Sequence, residues 1–231
     1  MFNEAENAES TLKRVEEALI SFQGAYEIIA VNDGSLDNTL EILRKIEIED
    51  EKVNTVSYSG NIGRGMALRK GFEKARGEIV VSIDADLSYE PRSILDLVHA
   101  LQTGPDIDFV LASPYMPGGK AQDVPVLRLW ISKLGNKILR LALPNRIYTS
   151  TGIFRAYRKR VLDSIELESD GKEIHLEILS KAMALGFRVK EVPAILRGRR
   201  KGRSKFKLKK TAASHLVFSV FEKPMIIFGF L

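Results

Sequence analysis

Apolar positions along this 231-residue chain switch between a helical and a strand period. Leu12, Val15, Leu19 and Ile20 recur at helical spacing and predict a first helix. The apolar, β-branched run from Tyr26 to Val31 predicts a strand, and Asn32-Asp33-Gly34 ends it in a turn. Leu40, Leu43 and Ile46 mark a second helix, with Ser35 or Asp37 as its cap. Val53 to Tyr58 reads as a strand, Gly63 to Lys74 as a helix, and Glu78 to Ile83 as a buried strand ending in Asp84-Ala85-Asp86. Pro91 opens a helix whose inner face is Ile94, Leu97, Val98 and Leu101, and Ile107 to Ala112 is the next strand. The second half is less regular. Val126 to Leu141 is a helix carrying Arg128, Ser132, Lys133 and Asn136, and Tyr148 to Tyr157 is polar and aromatic. Glu173 to Leu185 is a helix with Ile174, Ile178, Leu179, Ala182 and Leu185 inward, and Val189 to Leu196 is a strand. A last helix places Ala213, Leu216, Val217, Val220 and Phe221 on one side.

Strands alternating with helices predict an α/β fold with a mostly parallel, Rossmann-like sheet flanked by helices on both faces. In such sheets ligands sit beyond the carboxyl ends of the strands. Both acidic turns, at Asp33 and at Asp84/Asp86, fall at such ends.

Composition narrows the chemistry. A hydrophobic content of 45% excludes a disordered chain. The absence of Cys excludes a disulfide framework, a thiolate metal site and a cysteine nucleophile, and three scattered histidines argue against a zinc hydrolase. The net charge of +5 is unevenly spread. Nine basic residues lie between Arg197 and Lys210, and the rest of the chain holds 26 basic residues against 30 acidic ones. The protein is an acidic body with one cationic segment. That segment carries a single aromatic, Phe206, whereas nucleic-acid binders interleave several with their charge, so no nucleic-acid partner is expected. After Lys223-Pro224 the sequence turns apolar, Met225 to Leu231, which reads either as a packed terminal element or as the approach to a membrane span. The expected organisation is a catalytic body over 1–205 and a basic, amphipathic, membrane-associated segment over 206–231.

Three constellations carry candidate chemistry. Asp84 and Asp86 put two carboxylates on one face of a strand end, which suits a hard cation bridging phosphates; Asp at strand ends also simply makes turns. Asn61-Ile62-Gly63-Arg64-Gly65 is a glycine-containing entry to a helix, either an anion site or an ordinary cap. Arg199-Arg200-Lys201-Gly202-Arg203-Ser204-Lys205 offers guanidinium groups to a diphosphate, a lipid phosphate or a bilayer. His175 and Glu177 are candidate bases, and Glu177 is also spaced to pair with Lys181 on its helix.

In this order the motifs resemble family 2 glycosyltransferases of the GT-A fold, and within them the dolichol- or polyprenyl-phosphate sugar synthases. Phe2-Asn3-Glu4-Ala5-Glu6-Asn7 is similar to the tail of the donor-binding motif that follows a first strand. That strand is missing here, which predicts an exposed sheet edge. Val31-Asn32-Asp33-Gly34-Ser35 with Asp37-Asn38-Thr39 is similar to the nucleoside-binding motif. Asn61-Ile62-Gly63-Arg64-Gly65 is similar to the next donor motif, and Asp84-Ala85-Asp86-Leu87 to the metal motif. Ser113-Pro114-Tyr115 with Gly118-Gly119 resembles the acceptor loop. Arg128 and Ser132 fit the acceptor-phosphate contacts, Thr149-Ser150 with Phe154 to Arg158 a later signature, and Arg199, Gly202, Ser204 and Lys205 the segment that closes over the donor diphosphate.

The resemblance implies inverting, metal-dependent transfer from a nucleoside diphosphate sugar, with GDP or UDP as the nucleotide, to a lipid phosphate. It implies action at the cytoplasmic face of a membrane, on an anionic surface. It places Asn3, Glu4, Asp33, Arg64, Asp84, Ala85 and Ser132 in substrate binding. Asp86, Arg128, Glu177, Arg199 and Lys205 fall in catalysis, and Mg²⁺ or Mn²⁺ on Asp86 with Asp84 and Ser88. Three positions depart from the pattern: Ser88 where Gln is frequent, Pro114 where Arg is frequent, and His175 where Asp is frequent. A hydroxyl acceptor and a catalytically idle donor-binding subunit are the alternative readings.

Overall fold

A computed structural model describes residues 1–142 and 147–198, with the backbone alone for Arg128 and residues 138–142. The elements run α1 (Ala5–Leu19), β1 (Ile28–Asp33), α2 (Thr39–Glu49), β2 (Val53–Tyr58), α3 (Arg64–Lys74), β3 (Ile79–Ser82), α4 (Ser93–Thr103) and β4 (Phe109–Ser113). They continue with β5 (Lys120–Gln122), α5 (Val126–Ala142), β6 (Arg155–Arg158), α6 (Lys159–Asp163), α7 (Ile174–Ala184), β7 (Val189–Pro193) and β8 (Ile195–Arg197).

The described strands form three sheets. β1 and β2 pair in parallel, with Ile28 opposite Val53 and Asp33 opposite Tyr58. A four-stranded sheet has the order β3-β6-β4-β7, and β5 pairs in parallel with β8. Across the described strands three of the five pairings are parallel, as expected. β4 and β7 are parallel, but β6 runs antiparallel to both its neighbours, so the four-stranded sheet is mixed. The reason is connectivity: the chain enters β6 through the Ser150–Phe154 loop at the end where β3 and β4 finish, so it must run back.

Alternation along the strands feeds one core on each face. Val110, Ala112, Phe154 and Ala156 join Val15, Leu19, Leu97 and Leu101 on one side. Phe109, Leu111 and Tyr157 join Phe72, Val161, Ile174, Ile178 and Leu179 on the other. A third cluster sets Ala8 and Leu12 of α1 against Ala30, Leu43 and Val53. One face of α1 therefore reaches both sheets, its first turns on β1 and its last turns on the β3–β7 core.

Among the described residues β1 and β3 each present an edge without a strand partner. Met1 pairs at the edge of β1: its amino group donates to the Val31 carbonyl and its carbonyl accepts from the Asp33 amide at 2.7 Å, the pattern of a parallel ladder. The expectation of an exposed edge thus meets a seam between two sheets, bridged by α1 and α3.

Most expected helices and strands lie within two residues of their expected bounds. Leu185, expected inward, and Ile20, expected in the first helix, are exposed, because α7 ends at Ala184 and α1 at Leu19. The expected Val189–Leu196 strand is split in two at Ala194. Among the described residues no helix is long and apolar enough to cross a membrane. The expected 206–231 segment lies outside the described residues.

Candidate active site

The end of β1 is built around the Asp33 carboxylate, which is almost fully buried. Its Oδ1 accepts from the Tyr58 hydroxyl at 2.9 Å, the Ile62 amide at 3.0 Å and the Gly63 amide at 3.2 Å, and its Oδ2 from Asn61 Nδ2 at 2.8 Å. Burial pushes the Tyr58 hydroxyl up, and its bond to Asp33 adds to that. Asp33 thereby pins the 61–63 loop against the strand end. Gly34 has φ 62°, and a Cβ there would lie 2.2 Å from the Gly60 carbonyl carbon, so only glycine lets the two turns touch. The Asn3 amide donates to Ser35 Oγ at 2.9 Å and the Glu4 amide to Thr39 Oγ1 at 2.9 Å. Asn3, Glu4 and Asp33 are thus brought together at one strand end. Beside them lies a cavity of about 400 Å³, lined by Asn32, Ser35, Leu36, Leu40, Ser57 and Gly60.

The second acidic turn closes β3. The Leu87 amide donates to the Asp84 carbonyl at 3.2 Å, and Leu87 sits at φ 50°, a conformation uncommon for a branched residue. Thr11 of α1 donates to the Ala85 carbonyl at 2.6 Å. Arg64 Nη2 lies 3.0 Å from Asp84 Oδ1, and Asp86 Oδ1 accepts from the Ser88 amide at 3.0 Å. Burial pushes the Asp84 carboxyl up; Arg64 partly offsets this, and the neighbouring Asp86 charge adds to it. Two carboxylates crowded together, one ionising at a cost, fit a divalent cation. Among the described residues no group of three or more acidic or histidine side chains gathers. The set suits a hard cation that keeps waters and takes ligands from a diphosphate. Ser88 contributes here through its backbone, orienting Asp86.

The entry to α3 is capped by protein. The Gly65 amide donates to the Asp170 carbonyl at 2.7 Å, and a Cβ at Gly65 would lie 2.1 Å from the Ser169 carbonyl oxygen. The ordinary-cap reading therefore holds for its backbone, while Arg64 turns its side chain to Asp84.

Glu177, an expected catalytic group, has a buried carboxylate that is engaged by protein donors. Oε1 accepts from the Glu168 amide at 2.9 Å and from Lys181 Nζ at 2.7 Å, and Oε2 accepts from the Ser169 amide at 2.9 Å. Burial works against its charge, but Lys181 and the two amides outweigh it and hold the carboxyl below the usual carboxylate range. Glu177 fastens the 168–170 segment that caps α3. The pairing with Lys181, expected from their spacing, is real. His175 is also buried, at 1% exposure, on the same helix.

A further polar cluster lies around α5. Tyr115 donates to Ser132 Oγ at 2.7 Å, and Ser113 and Thr149 share a 2.7 Å hydroxyl bond. The Ser150 amide donates to Asn136 Oδ1 at 2.8 Å, and Glu191 accepts from the Tyr148 and Thr149 amides. Arg155, fully buried, donates to the carbonyls of Gly152, Ser150 and His175. Sequence reasoning missed Glu191 and Thr11; a lone carboxylate inside the Val189–Leu196 apolar run was the available signal for the first, and none marked the second.

The cationic segment starts beside the acidic turn. The Arg197 amide donates to the Ser88 carbonyl at 2.8 Å, and its side chain pairs with Glu90 at 3.0 Å. Arg199 and Lys205 lie outside the described residues, as does the side chain of Arg128.

Acidic turns after β1 and β3, on either side of the seam between two helix-flanked sheets, fit the GT-A class of fold. The chain belongs to glycosyl transferase family 2, whose profile matches residues 1–166. It is 35% identical over 208 residues to a dolichol-phosphate mannosyltransferase of Pyrococcus furiosus, covering 89% of this chain and 57% of that protein. It is 33% identical over 211 residues to a polyprenol monophosphomannose synthase of Mycolicibacterium smegmatis, covering 88% and 77%. The chain thus spans little more than half of the first relative's length. Among solved structures it is similar to a mannosyltransferase of Pyrobaculum calidifontis in complex with GDP-Man and Mn²⁺. The TM-score is 0.66 at 20% identity, over 97% of this chain and 62% of that one. It is also similar to glucosyl-3-phosphoglycerate synthase of Mycobacterium tuberculosis with Mn²⁺ and UDP-glucose, at TM-score 0.70 and 23% identity over 95% and 76%.

Proposed function

We propose that the chain is the catalytic domain of an inverting, metal-dependent glycosyltransferase that moves a sugar from a GDP- or UDP-sugar to a polyprenyl phosphate at the cytoplasmic face of a membrane. The observation that carries the choice of acceptor is the state of Glu177. Of the two candidate bases, it is locked in a structural hydrogen-bond set, and His175 is buried beside it. A hydroxyl acceptor needs a base to take its proton. A phosphate monoester does not, because its second pKa is about 6 and it arrives as a dianion at neutral pH. The names of the two curated relatives support the same acceptor class.

In this mechanism Asp33, Asn3 and Glu4 shape the end of β1 that receives the nucleoside. Asp84 and Asp86 would hold Mg²⁺ or Mn²⁺, with Arg64 and the Ser88 amide fixing their orientation. When bound, the cation neutralises charge that grows on the departing diphosphate. Ser132, with its oxygen accepting from Tyr115, keeps its own proton free to donate to the acceptor phosphate. Arg128 would add charge there. An acceptor oxygen forms the new bond to the anomeric carbon as the bond to the nucleoside diphosphate breaks, and a single displacement inverts that carbon. Arg199 and Lys205, on a segment that begins beside Ser88, would grip the diphosphate.

A transfer assay tests this. Radiolabelled GDP- and UDP-sugars are offered with polyprenyl phosphate in Mg²⁺, Mn²⁺ or chelator. The expected result is label in the lipid phase, abolished by chelator and by Asp86→Asn. Label transferred only to water-soluble hydroxyl acceptors would overturn the acceptor reading, and transfer insensitive to chelator would remove the metal role.

A further inference from the structure

The phenol of Tyr89, on the turn that follows Asp86, takes no part in the contacts described above. Tyr89 is 5% exposed. Its backbone bridges to Leu196, and its ring packs on Phe154 with centroids 5.1 Å apart. The ring thus belongs to the core around Val110, Ala112 and Ala156, while its oxygen reaches the carboxyl end of β4. A Cβ built on Gly152 would meet that oxygen at 3.9 Å, the Ala112 carbonyl oxygen at 3.9 Å and Thr149 Cγ2 at 3.2 Å. The bare glycine leaves a gap where these groups converge. Among the described residues the Tyr89 hydroxyl makes no hydrogen bond. A phenol buried to this degree ordinarily finds a partner, and one that lacks it calls for an explanation. Burial pushes the hydroxyl up; Tyr115 and Asp84 add to this, and Arg155 partly offsets it. Those neighbours agree with the geometry: the oxygen lies between the acidic turn of β3 and the cluster in which Tyr115 meets Ser132.

We propose that the Tyr89 hydroxyl donates a hydrogen bond to a hydroxyl of the sugar being transferred, and so helps to choose which nucleoside diphosphate sugar reacts. The proposed reaction sets that sugar between the Asp84–Asp86 turn and the acceptor at Ser132, which is where this oxygen lies. The local chemistry favours a neutral sugar over a phosphate. Asp84 repels an anion, and the buried Arg155 guanidinium already donates to the carbonyls of Gly152, Ser150 and His175. What faces the gap at Gly152 is a phenol and a backbone carbonyl, neutral groups that suit a polyol. A site built to pair with a substrate hydroxyl discriminates against the analogue that lacks it, because the protein group is then left unpaired. The inference deepens the proposed function and rests on its donor half alone, so it is measured without any acceptor.

Calorimetry on the full-length protein in Mn²⁺ measures binding of UDP, GDP, UDP-glucose and GDP-mannose, and of monodeoxy analogues of whichever sugar binds. Tyr89→Phe removes an oxygen that has no protein partner, so its Tm is expected at or above the wild-type value. It is expected to weaken the nucleotide sugar about 2- to 10-fold and to leave the nucleotide alone unchanged. One monodeoxy analogue binds the wild type more weakly than the full sugar by a similar factor, and Tyr89→Phe erases that difference. Gly152→Ala, which fills the gap in front of the hydroxyl, gives the same split between nucleotide sugar and nucleotide. Equal weakening of nucleotide and nucleotide sugar in Tyr89→Phe would overturn the proposal, since the hydroxyl then shapes the turn and not the sugar. So would a lowered Tm with unchanged binding, since the hydroxyl is then satisfied inside the protein. Discrimination against every deoxy analogue that survives Tyr89→Phe would overturn it as well. A wild type that binds no nucleotide sugar would overturn the donor reading and this inference with it, whereas binding without the split removes this inference alone.

Discussion

Replacing Glu177 with Gln separates a structural carboxylate from a catalytic one. The native group accepts from two backbone amides at 2.9 Å and from Lys181 at 2.7 Å. Gln keeps the shape but offers one oxygen and one amino group, so one amide, that of Ser169 or Glu168, faces a donor instead of an acceptor. Hydrogen bonds to a charged group contribute about 1.5–3 kcal/mol each, and a buried donor left unpaired costs about 1–3 kcal/mol. Losing one bond and weakening the others gives about 2–4 kcal/mol, a fall in Tm of roughly 5–15 °C for a chain of this size. Denaturant unfolding at constant m-value measures it. The pH dependence carries a sign. The folded-state pKa lies below the ordinary 4.5, so the carboxylate's contribution is fully present above that value and is lost as pH falls through the lowered one. The gap between wild type and Glu177→Gln therefore closes on acidification. A general base would behave differently: its loss costs about 10²–10⁴ in rate and leaves the midpoint of unfolding in place. An unchanged midpoint with such a loss of kcat would refute the structural role.

Two further substitutions probe neighbouring contacts. Gly65→Ala puts a Cβ 2.1 Å from the Ser169 carbonyl oxygen and 2.6 Å from the Asp170 carbonyl carbon, so backbone must move. It is expected to cost about 1–3 kcal/mol by thermal unfolding and to weaken nucleotide binding by displacing Arg64. Tyr115→Phe removes the 2.7 Å bond to Ser132 Oγ. It is expected to raise the acceptor KM about 2- to 10-fold with the donor KM unchanged, measured by initial rates.

Sequence and structure agree where one physical signal dominates. The strand Val53–Tyr58 has the same bounds in both, because an apolar alternation between polar turns admits one solution. Asp33 and Asp84 were legible as strand-end carboxylates, since a strand that stops at the top of such a sheet must point its last residues into the ligand crevice. The direction of β6 was not legible: Arg155–Arg158 carries no mark of direction, and the choice is made by where the preceding loop enters. The use of Glu177 was not legible either. Its two amide donors lie eight and nine residues away on an irregular segment, and only the Lys181 contact has helical spacing. The exposed apolar stripe of α5, formed by Leu127, Trp130 and Leu134, shows the converse limit. Its periodicity predicted a helix, but the same pattern describes a face turned to a core and a face turned to solvent, and only the fold says which.

The proposed donor site spans the seam between two separately hydrogen-bonded sheets, and that position has an energetic consequence. Asp33 ends β1 in one sheet, and Asp84 follows β3 in the other. The polar contacts that cross between them include Arg64 to Asp84 at 3.0 Å, Thr11 to the Ala85 carbonyl at 2.6 Å, Arg14 to Glu90 at 2.8 Å and Arg76 to Glu27 at 2.9 Å, together with the core face of α1. Partly exposed ion pairs such as Arg14–Glu90 contribute little, about 0–1 kcal/mol each. The seam is therefore expected to open at less than the global cost. A nucleotide held by both turns would close it. At a hundredfold excess over Kd, binding adds about 2.7 kcal/mol to the folded state. Openings that break the site receive all of this increment, and openings elsewhere receive none. Hydrogen exchange with GDP or UDP and Mn²⁺ should accordingly slow in both Ile28–Asp33 and Ile79–Ser82, and leave α6 and the last turn of α7 as they were. Slowing confined to one of the two strands would mean that the nucleotide sits on a single sheet, and the straddling site would have to be abandoned.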